Sequence, residues 1–259
     1  MQLQDKIVVV TGGGGGIGGA MARRFAAEGA RTVVVADVDG DAATVVADEI
    51  GGVAVQADLG TEAGCIEVVR TAEERGPIDL LCLNAGIAVG GGVEAPDEDW
   101  YRIWDVNVMA HVWAVRAALP AMLARGEGYI LTTASAAGLL SNIGAAPYSV
   151  TKHAAVALAE WLAITHGDAG ITVSCLCPQG VRTKMLFPDD DDGDVGAETV
   201  RSQGVIEPED VAAAVVDALG EERFLVLPHP EVLDHFQHKA GDYDRWLRGM
   251  RKLQARTQG

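Results

Sequence analysis

The sequence predicts an α/β fold: a single doubly wound domain with a seven-stranded parallel sheet, helices on both faces, and a C-terminal helical extension. Three observations carry this. Short aliphatic segments alternate with helix-like ones along the chain, and strands buried on both faces of a parallel sheet read as such near-continuous apolar runs. A glycine-rich turn, Gly12 to Gly19, follows the first aliphatic segment and precedes a helix-like one. No Pro/Ser-rich linker divides the 259 residues, of which 49% are hydrophobic, enough for one large core.

Each element follows from its local pattern. Residues 6–10 read as a strand and 17–28 as a helix. Residues 31–36 form a second strand ending at Asp37, and 41–49 a helix. Residues 53–57 are a third strand, followed by a helix over 62–75 that Gly76-Pro77 stops. Residues 78–83 give a fourth strand and 86–92 a glycine-rich loop. The span 97–123 carries a long helical pattern, bent or interrupted. Residues 128–133, 171–176 and 223–227 are the remaining strands. Helices cover 148–166, 209–219 and a tail from 231 to 254. The domain spans 1–228 and the extension 229–259.

Bulk properties narrow the function. The formal net charge is −17, and no local basic patch is visible, which argues against nucleic acid and anionic membrane as partners. The N-terminus lacks a basic and an apolar leader segment, and no apolar run approaches ~20 residues, so no membrane span is expected. Cys175 and Cys177 share one face of an apolar strand; with Cys65 and Cys82 they read as reduced, buried thiols. The expected location is cytoplasmic. The acidic stretch 188–194 reads as a solvated loop, because consecutive aspartates lack the alternating spacing of a calcium loop. His235 and His238 read as a surface pair. No metal site is expected.

The glycine turn is a phosphate cradle. Glycine lets the backbone turn tightly and approach a pyrophosphate, and the helix behind it supplies unpaired N–H groups. The generic glycine pattern fits the run in two frames. Asp37 lies about 20 residues beyond, where a carboxylate accepts hydrogen bonds from an adenosine ribose. The same charge repels a 2′-phosphate, and no Lys or Arg sits at residues 12–16 or just after Asp37, so NAD is favoured over NADP. Asp58, within Ala57-Asp58-Leu59, is placed either to accept from an adenine amino group or as a plain loop aspartate. Tyr148 and Lys152, at i and i+4, share a helix face about 6 Å apart. A nearby cation favours tyrosinate and lowers the phenol pKa, so the pair could move a proton to or from an oxygen. Ser135 lies just beyond the fifth strand, at the carboxyl edge where open α/β sheets bind ligands.

Together these residues resemble the classical short-chain dehydrogenase/reductase family. Its T-G-x-x-x-G-x-G motif matches Thr11, Gly12, Gly16 and Gly18, with Ile17 between the last two, and this fixes the glycine frame; Gly13–Gly15 then occupy variable positions. Its N-A-G motif matches Asn84, Ala85 and Gly86. Its asparagine on the long helix matches Asn107, its serine Ser135, and its Y-x-x-x-K Tyr148 and Lys152. The match covers roughly 5–228 in the family's order and spacing. It implies a Rossmann fold and an NAD-dependent oxidoreductase acting on a small-molecule alcohol or ketone. By resemblance, Tyr148 is the acid/base. Lys152 lowers its pKa and holds the nicotinamide ribose. Ser135 holds the substrate oxygen, and Asn107 supports a water linking Lys152 to solvent. Gly12, Gly16, Ile17, Gly18, Asp37, Asp58, Leu59, Asn84, Ala85, Gly86, Pro178, Val181 and Thr183 would bind cofactor.

Gln179 departs from the family's Pro-Gly after the sixth strand; it either adds a polar wall to the pocket or is a tolerated loop residue. Apolar candidates for that pocket suggest a hydrophobic secondary alcohol or ketone. Trp100, Tyr101, Trp104 and Trp113 read as core or subunit contacts, and the family implies a homodimer or homotetramer. The tail stripe Trp246, Met250, Leu253 favours a helix packed on its own subunit over an arm that reaches a partner or roofs a pocket. The alternatives kept are a non-catalytic NAD-binding module, a mainly reductive ketoreductase, and an isomerase or dehydratase-like relative.

Overall fold

The computed structural model describes residues 1–187, 200 and 204–257; the acidic stretch 188–194 therefore lies outside the described residues. The strands are β1 (Ile7–Thr11), β2 (Thr32–Asp37), β3 (Val53–Gln56), β4 (Leu80–Leu83), β5 (Gly128–Thr133), β6 (Ile171–Leu176), β7 (Gly180–Val181), β8 (Val205–Ile206) and β9 (Leu225–Val226). Seven of them form one parallel sheet in the order β3-β2-β1-β4-β5-β6-β9. The pair β7–β8 stands apart from it, and its two-residue strands left no pattern in the sequence.

The central strands β1, β4 and β5 are buried on both faces, whereas the edge strand β3 is partly exposed. Val8 and Val10 pack with Phe25 of α1 (Gly16–Ala27), Val46 of α2 (Gly40–Ile50) and Val215 of α8 (Pro208–Glu221). Val9, pointing the other way, packs with Val68 of α3 (Glu62–Glu73), Val115 of α5 (Ala110–Arg125) and Ala155 of α7 (Ala146–His166). The long helix is interrupted as expected: α4 (Asp97–Trp104) passes through a π turn, Asp105–Met109, into α5. The run Asp97–Arg125 is, contrary to expectation, long and apolar enough by length and composition to cross a membrane. Its packing against α3 and α7 gives a core helix the same composition. Trp113 packs against the core, whereas Tyr101 and Trp104 are exposed.

The tail is two helices, α9 (Glu231–Gly241) and α10 (Tyr243–Thr257), not one. Asp242 leaves helical geometry with φ −153° and its Oδ1 accepts from the Arg245 amide at 2.9 Å, so it ends one helix and caps the next.

Strand order reverses between β1 and β4, which opens a crevice at their carboxyl ends. Thr11 closes the seam beneath it. Its buried Oγ1 donates to the Cys82 carbonyl (3.2 Å) and accepts from the amides of Asn84 (2.8 Å) and Ala85 (3.0 Å). Asn84 Nδ2 returns a bond to the Thr11 carbonyl at 3.1 Å. Thr11→Val keeps the shape and strands these groups; it should cost about 2 kcal/mol or more in urea unfolding, and a cost near zero would show the seam to be dispensable.

Candidate active site

The crevice widens into a cleft of about 1150 Å³. At one end lies the glycine turn. Gly12 and Gly16 have φ of +63° and +53°, the left-handed region that favours glycine. A Cβ on Gly18 would collide with the Gly12 carbonyl. Gly13 and Gly14, expected to be merely variable, are also constrained. A Cβ there would lie 2.8 Å from Val35 Cγ1 and 2.9 Å from Asp37 Oδ2 respectively, because the turn packs directly on β2; only Gly15 faces open space among the three. Helix α1 begins with no side-chain cap and no acidic residue in its first turn, so its leading amides face the cleft unneutralised and suit an anion.

Asp37 ends β2 beside this turn. Its Oδ2 accepts from the Gly14 amide (2.9 Å) and its Oδ1 from the Asp39 amide (3.1 Å). Each oxygen retains a second lone pair for an outside donor. Around it the cleft wall is Val38, Asp39 and Ala42, with no cation beside them among the described residues. Asp58 also lines the cleft, exposed, its Oδ1 accepting from the Gly60 amide at 2.9 Å; Leu59 beside it is buried. Thr183, from the loop after β7, approaches Gly16: a Cβ on that glycine would sit 3.2 Å from Thr183 Cγ2. Pro178 and Val181 line the same wall.

The other end gathers Ser135, Tyr148 and Lys152. Ser135 follows β5 and caps α6 (Ala136–Leu139): its Oγ accepts from the Ala137 amide at 3.1 Å and donates to the Pro178 carbonyl at 3.4 Å. Lys152 is buried, its Nζ 3.1 Å from the Thr133 carbonyl and 5.5 Å from the Tyr148 ring centroid. Asn107 is fully buried. Its Oδ1 accepts from the Ile87 amide (2.9 Å), and its Nδ2 donates to the Ile87 carbonyl (3.0 Å) and Thr151 Oγ1 (3.2 Å). Asn107 and Lys152 flank Gly86, where a Cβ would lie 3.2 Å from one and 3.3 Å from the other.

Electrostatics correct one expectation. Burial pushes the Tyr148 phenol above its usual pKa, and the opposing pull comes from its hydrogen bond with Ser135 rather than from Lys152. The lysine is itself desolvated, which lowers its pKa to about 8. His111, in the first turn of α5, is buried. Desolvation, with Lys152's charge in support, pushes it down to about 3, so it is neutral.

Sequence reasoning missed two contributors, His229 and His235. His229, buried, clamps the loop after β6: its Nδ1 accepts from the Gln179 amide and its Nε2 meets the Gly180 carbonyl, both at 3.1 Å. His235, read as half of a surface pair, is exposed but lines the cleft; Gln179 lines it too, the position one of its two sequence readings gave it. Trp246, Met250 and Leu253 of α10 also line it, so the tail both packs on its own subunit and roofs the cleft. The i, i+4, i+7 spacing of the last three is the signal that put them on one helix face.

Comparison with known proteins agrees with this geometry. The short chain dehydrogenase family profile matches residues 6–193. The chain is 37% identical over 242 residues to 1-deoxy-11-beta-hydroxypentalenate dehydrogenase of Streptomyces exfoliatus, covering 89% of this chain and 86% of the relative. It is 38% identical over 222 residues to meso-2,3-butanediol dehydrogenase of Serratia marcescens, covering 83% and 87%. A short-chain dehydrogenase/reductase from Burkholderia phymatum, crystallised in complex with NAD, superimposes with a TM-score of 0.85 at 30% identity, covering 94% and 96%. A 7 alpha-hydroxysteroid dehydrogenase complexed with NADH and 7-oxo glycochenodeoxycholic acid gives 0.79 at 28%, covering 87% and 93%. The chain belongs to the short-chain dehydrogenase/reductase family of oxidoreductases.

The lowered Lys152 pKa has a consequence for stability. Between about 8 and 10.5 the unfolded lysine holds its proton while the folded one releases it, so stability rises with pH across that window. Lys152→Met should be more stable than the parent chain near pH 7, with the gap narrowing as pH climbs past 8. A gap independent of pH in urea unfolding would show the ammonium to be solvated.

Proposed function

We propose that the protein is an NAD(H)-dependent oxidoreductase that interconverts a hydrophobic secondary alcohol and its ketone. The observation that carries this is one continuous cleft with a phosphate cradle and a ribose-matched carboxylate at one end, and a serine, tyrosine and lysine at the other. Relatives named as dehydrogenases of hydroxylated compounds support it, as do fold neighbours bound to NAD or NADH.

The residues fit that cofactor. Gly12, Gly16, Ile17 and Gly18 would hold the pyrophosphate and Asp37 the adenosine ribose. Asp58 and Leu59 would border the adenine. Asn84, Ala85 and Gly86 would floor the middle of the cleft, and Pro178, Val181 and Thr183 would meet the nicotinamide. Once bound, nicotinamide supplies the acceptor or donor carbon for hydride exchange with the substrate.

Proton management belongs to the chain. Ser135 Oγ would hold the substrate oxygen where Tyr148 reaches it. Tyr148 would take the proton from an alcohol, or return it to a ketone oxygen, in the water-poor end of the cleft. The Ser135 hydrogen bond opposes the burial that keeps Tyr148 protonated, and the Lys152 cation favours tyrosinate once the two share a ligand. Asn107 has its carboxamide committed to Ile87 and Thr151. We assign it a positioning role at the π turn, beside the water-supporting one that the family resemblance implies. The intact Ser135–Tyr148–Lys152 set favours redox chemistry over a non-catalytic NAD-binding module.

Two measurements check this. Tyr148→Phe should lower turnover of a secondary alcohol at least about 100-fold while leaving NAD affinity within a few-fold. Retained turnover would remove Tyr148 from the chemistry. Asp37→Ala should weaken NAD and strengthen NADP binding. A parent chain that already prefers NADP would overturn the assignment of Asp37.

A further inference from the structure

The tail helices lie beyond the span matched by the family profile, yet three side chains of α10 reach the cleft that holds Ser135 and Tyr148. Trp246, Met250 and Leu253 fall at i, i+4 and i+7, a single stripe of one helix face. Each is half-buried, while Arg245, Arg248, Arg251 and Lys252 on the remaining surface are exposed. The helix is therefore amphipathic with its apolar side turned to the cleft.

Its placement is fixed by Lys239, near the end of α9. This lysine is 6% exposed, and a buried ammonium must find partners. Its Nζ donates to the carbonyls of Leu139 at 2.6 Å and Leu140 at 3.0 Å, at the end of the α6 segment that Ser135 caps. It lies 3.5 Å from His153 Nε2, the neighbour of Lys152 on α7. It also sits 5.0 Å from the Trp246 ring centroid and 5.5 Å from that of Tyr243, within cation–π reach of both. One cation thus joins the α6 segment, α7 and α10.

We infer that Trp246, Met250 and Leu253, positioned by Lys239, form the substrate-selecting wall of this cleft, and that the alcohol it prefers carries a hydrocarbon body large enough to reach α10. This rests on the alcohol–ketone reading above. Ser135 and Tyr148 would fix the reacting oxygen, and the α10 stripe adds three apolar side chains to the lining of the same cleft. Selectivity then comes from the area of hydrocarbon buried against that stripe.

The test compares kcat/KM for 2-propanol and decahydro-2-naphthol, both secondary alcohols, in the NAD-loaded full-length chain. Trp246→Ala and Met250→Ala should each lose about tenfold more on the larger alcohol than on the smaller, with the excess in KM rather than kcat. Lys239→Met should show the same preferential loss, and Lys239→Arg should restore it in part. Equal losses on both alcohols, or none on either, would overturn the inference; the first would mark α10 as purely structural. If the parent chain oxidises neither alcohol, the alcohol–ketone reading fails on its own account. Calorimetric titration of decahydro-2-naphthol into the NAD-saturated protein then decides the wall separately. Binding weakened about tenfold by Met250→Ala supports it, and absent or unchanged binding contradicts it.

Discussion

The hydroxyl of Thr11 ties the end of β1 to the segment leaving β4, at the one place where the strand order of the sheet reverses. A crevice at that point is a weakness as well as an opportunity, because backbone amides end there without strand partners. Thr11 Oγ1 satisfies those of Asn84 and Ala85, and Asn84 answers with its side-chain amide. The glycine turn and the Asn84–Gly86 segment are thereby set in fixed relation before any ligand arrives. Asn107 repeats the device one layer further out, where its three bonds tie the loop after β4 to the π turn and to α7. The π turn is the local distortion that lets a buried carboxamide reach backbone outside its own helix.

This scaffold supports an electrostatically unbalanced site. Lys152 is buried with a carbonyl as its hydrogen-bond partner, and His111 nearby is held neutral. Among the described residues no carboxylate offsets the burial of the lysine. Such a cation gains most from a new negative charge or a dense set of acceptors, and both a tyrosinate at Tyr148 and ribose hydroxyls meet that need. The raised pKa of Tyr148 is the counterpart: the phenol is kept protonated by burial and restrained by Ser135. The site is built to respond to what binds in it.

Much of this was legible in the sequence for a physical reason. Strands buried on both faces must be aliphatic throughout, so β1, β2, β5 and β6 announce themselves within a residue or two. Turns that need positive φ must be glycine, which fixes Gly12 and Gly16. Contacts made across the fold leave no such mark. Nothing near Gly13 or Gly14 shows that Val35 and Asp37 will press on them. Nothing near Lys239 shows that its ammonium will meet carbonyls 99 and 100 residues away. The clamp from His229 to Gly180 and the break at Asp242 are of the same kind. The direction of the Tyr148 shift was misjudged because helix spacing reports which charges are near, but not how much water burial removes.

The tail shows how a shared framework acquires its own character: the sheet edge sets what chemistry is available, and α10 sets what can lie beside it. The central claim is that this cleft passes a hydride between a secondary alcohol and NAD. The most direct measurement incubates the protein with NAD and a secondary alcohol deuterated at its carbinol carbon, and follows the nicotinamide by proton NMR. The account predicts that one deuterium appears on a single face of nicotinamide C4 for each ketone formed, with none lost to water. Ketone formed without label in the nicotinamide, or label exchanged into solvent, would contradict it.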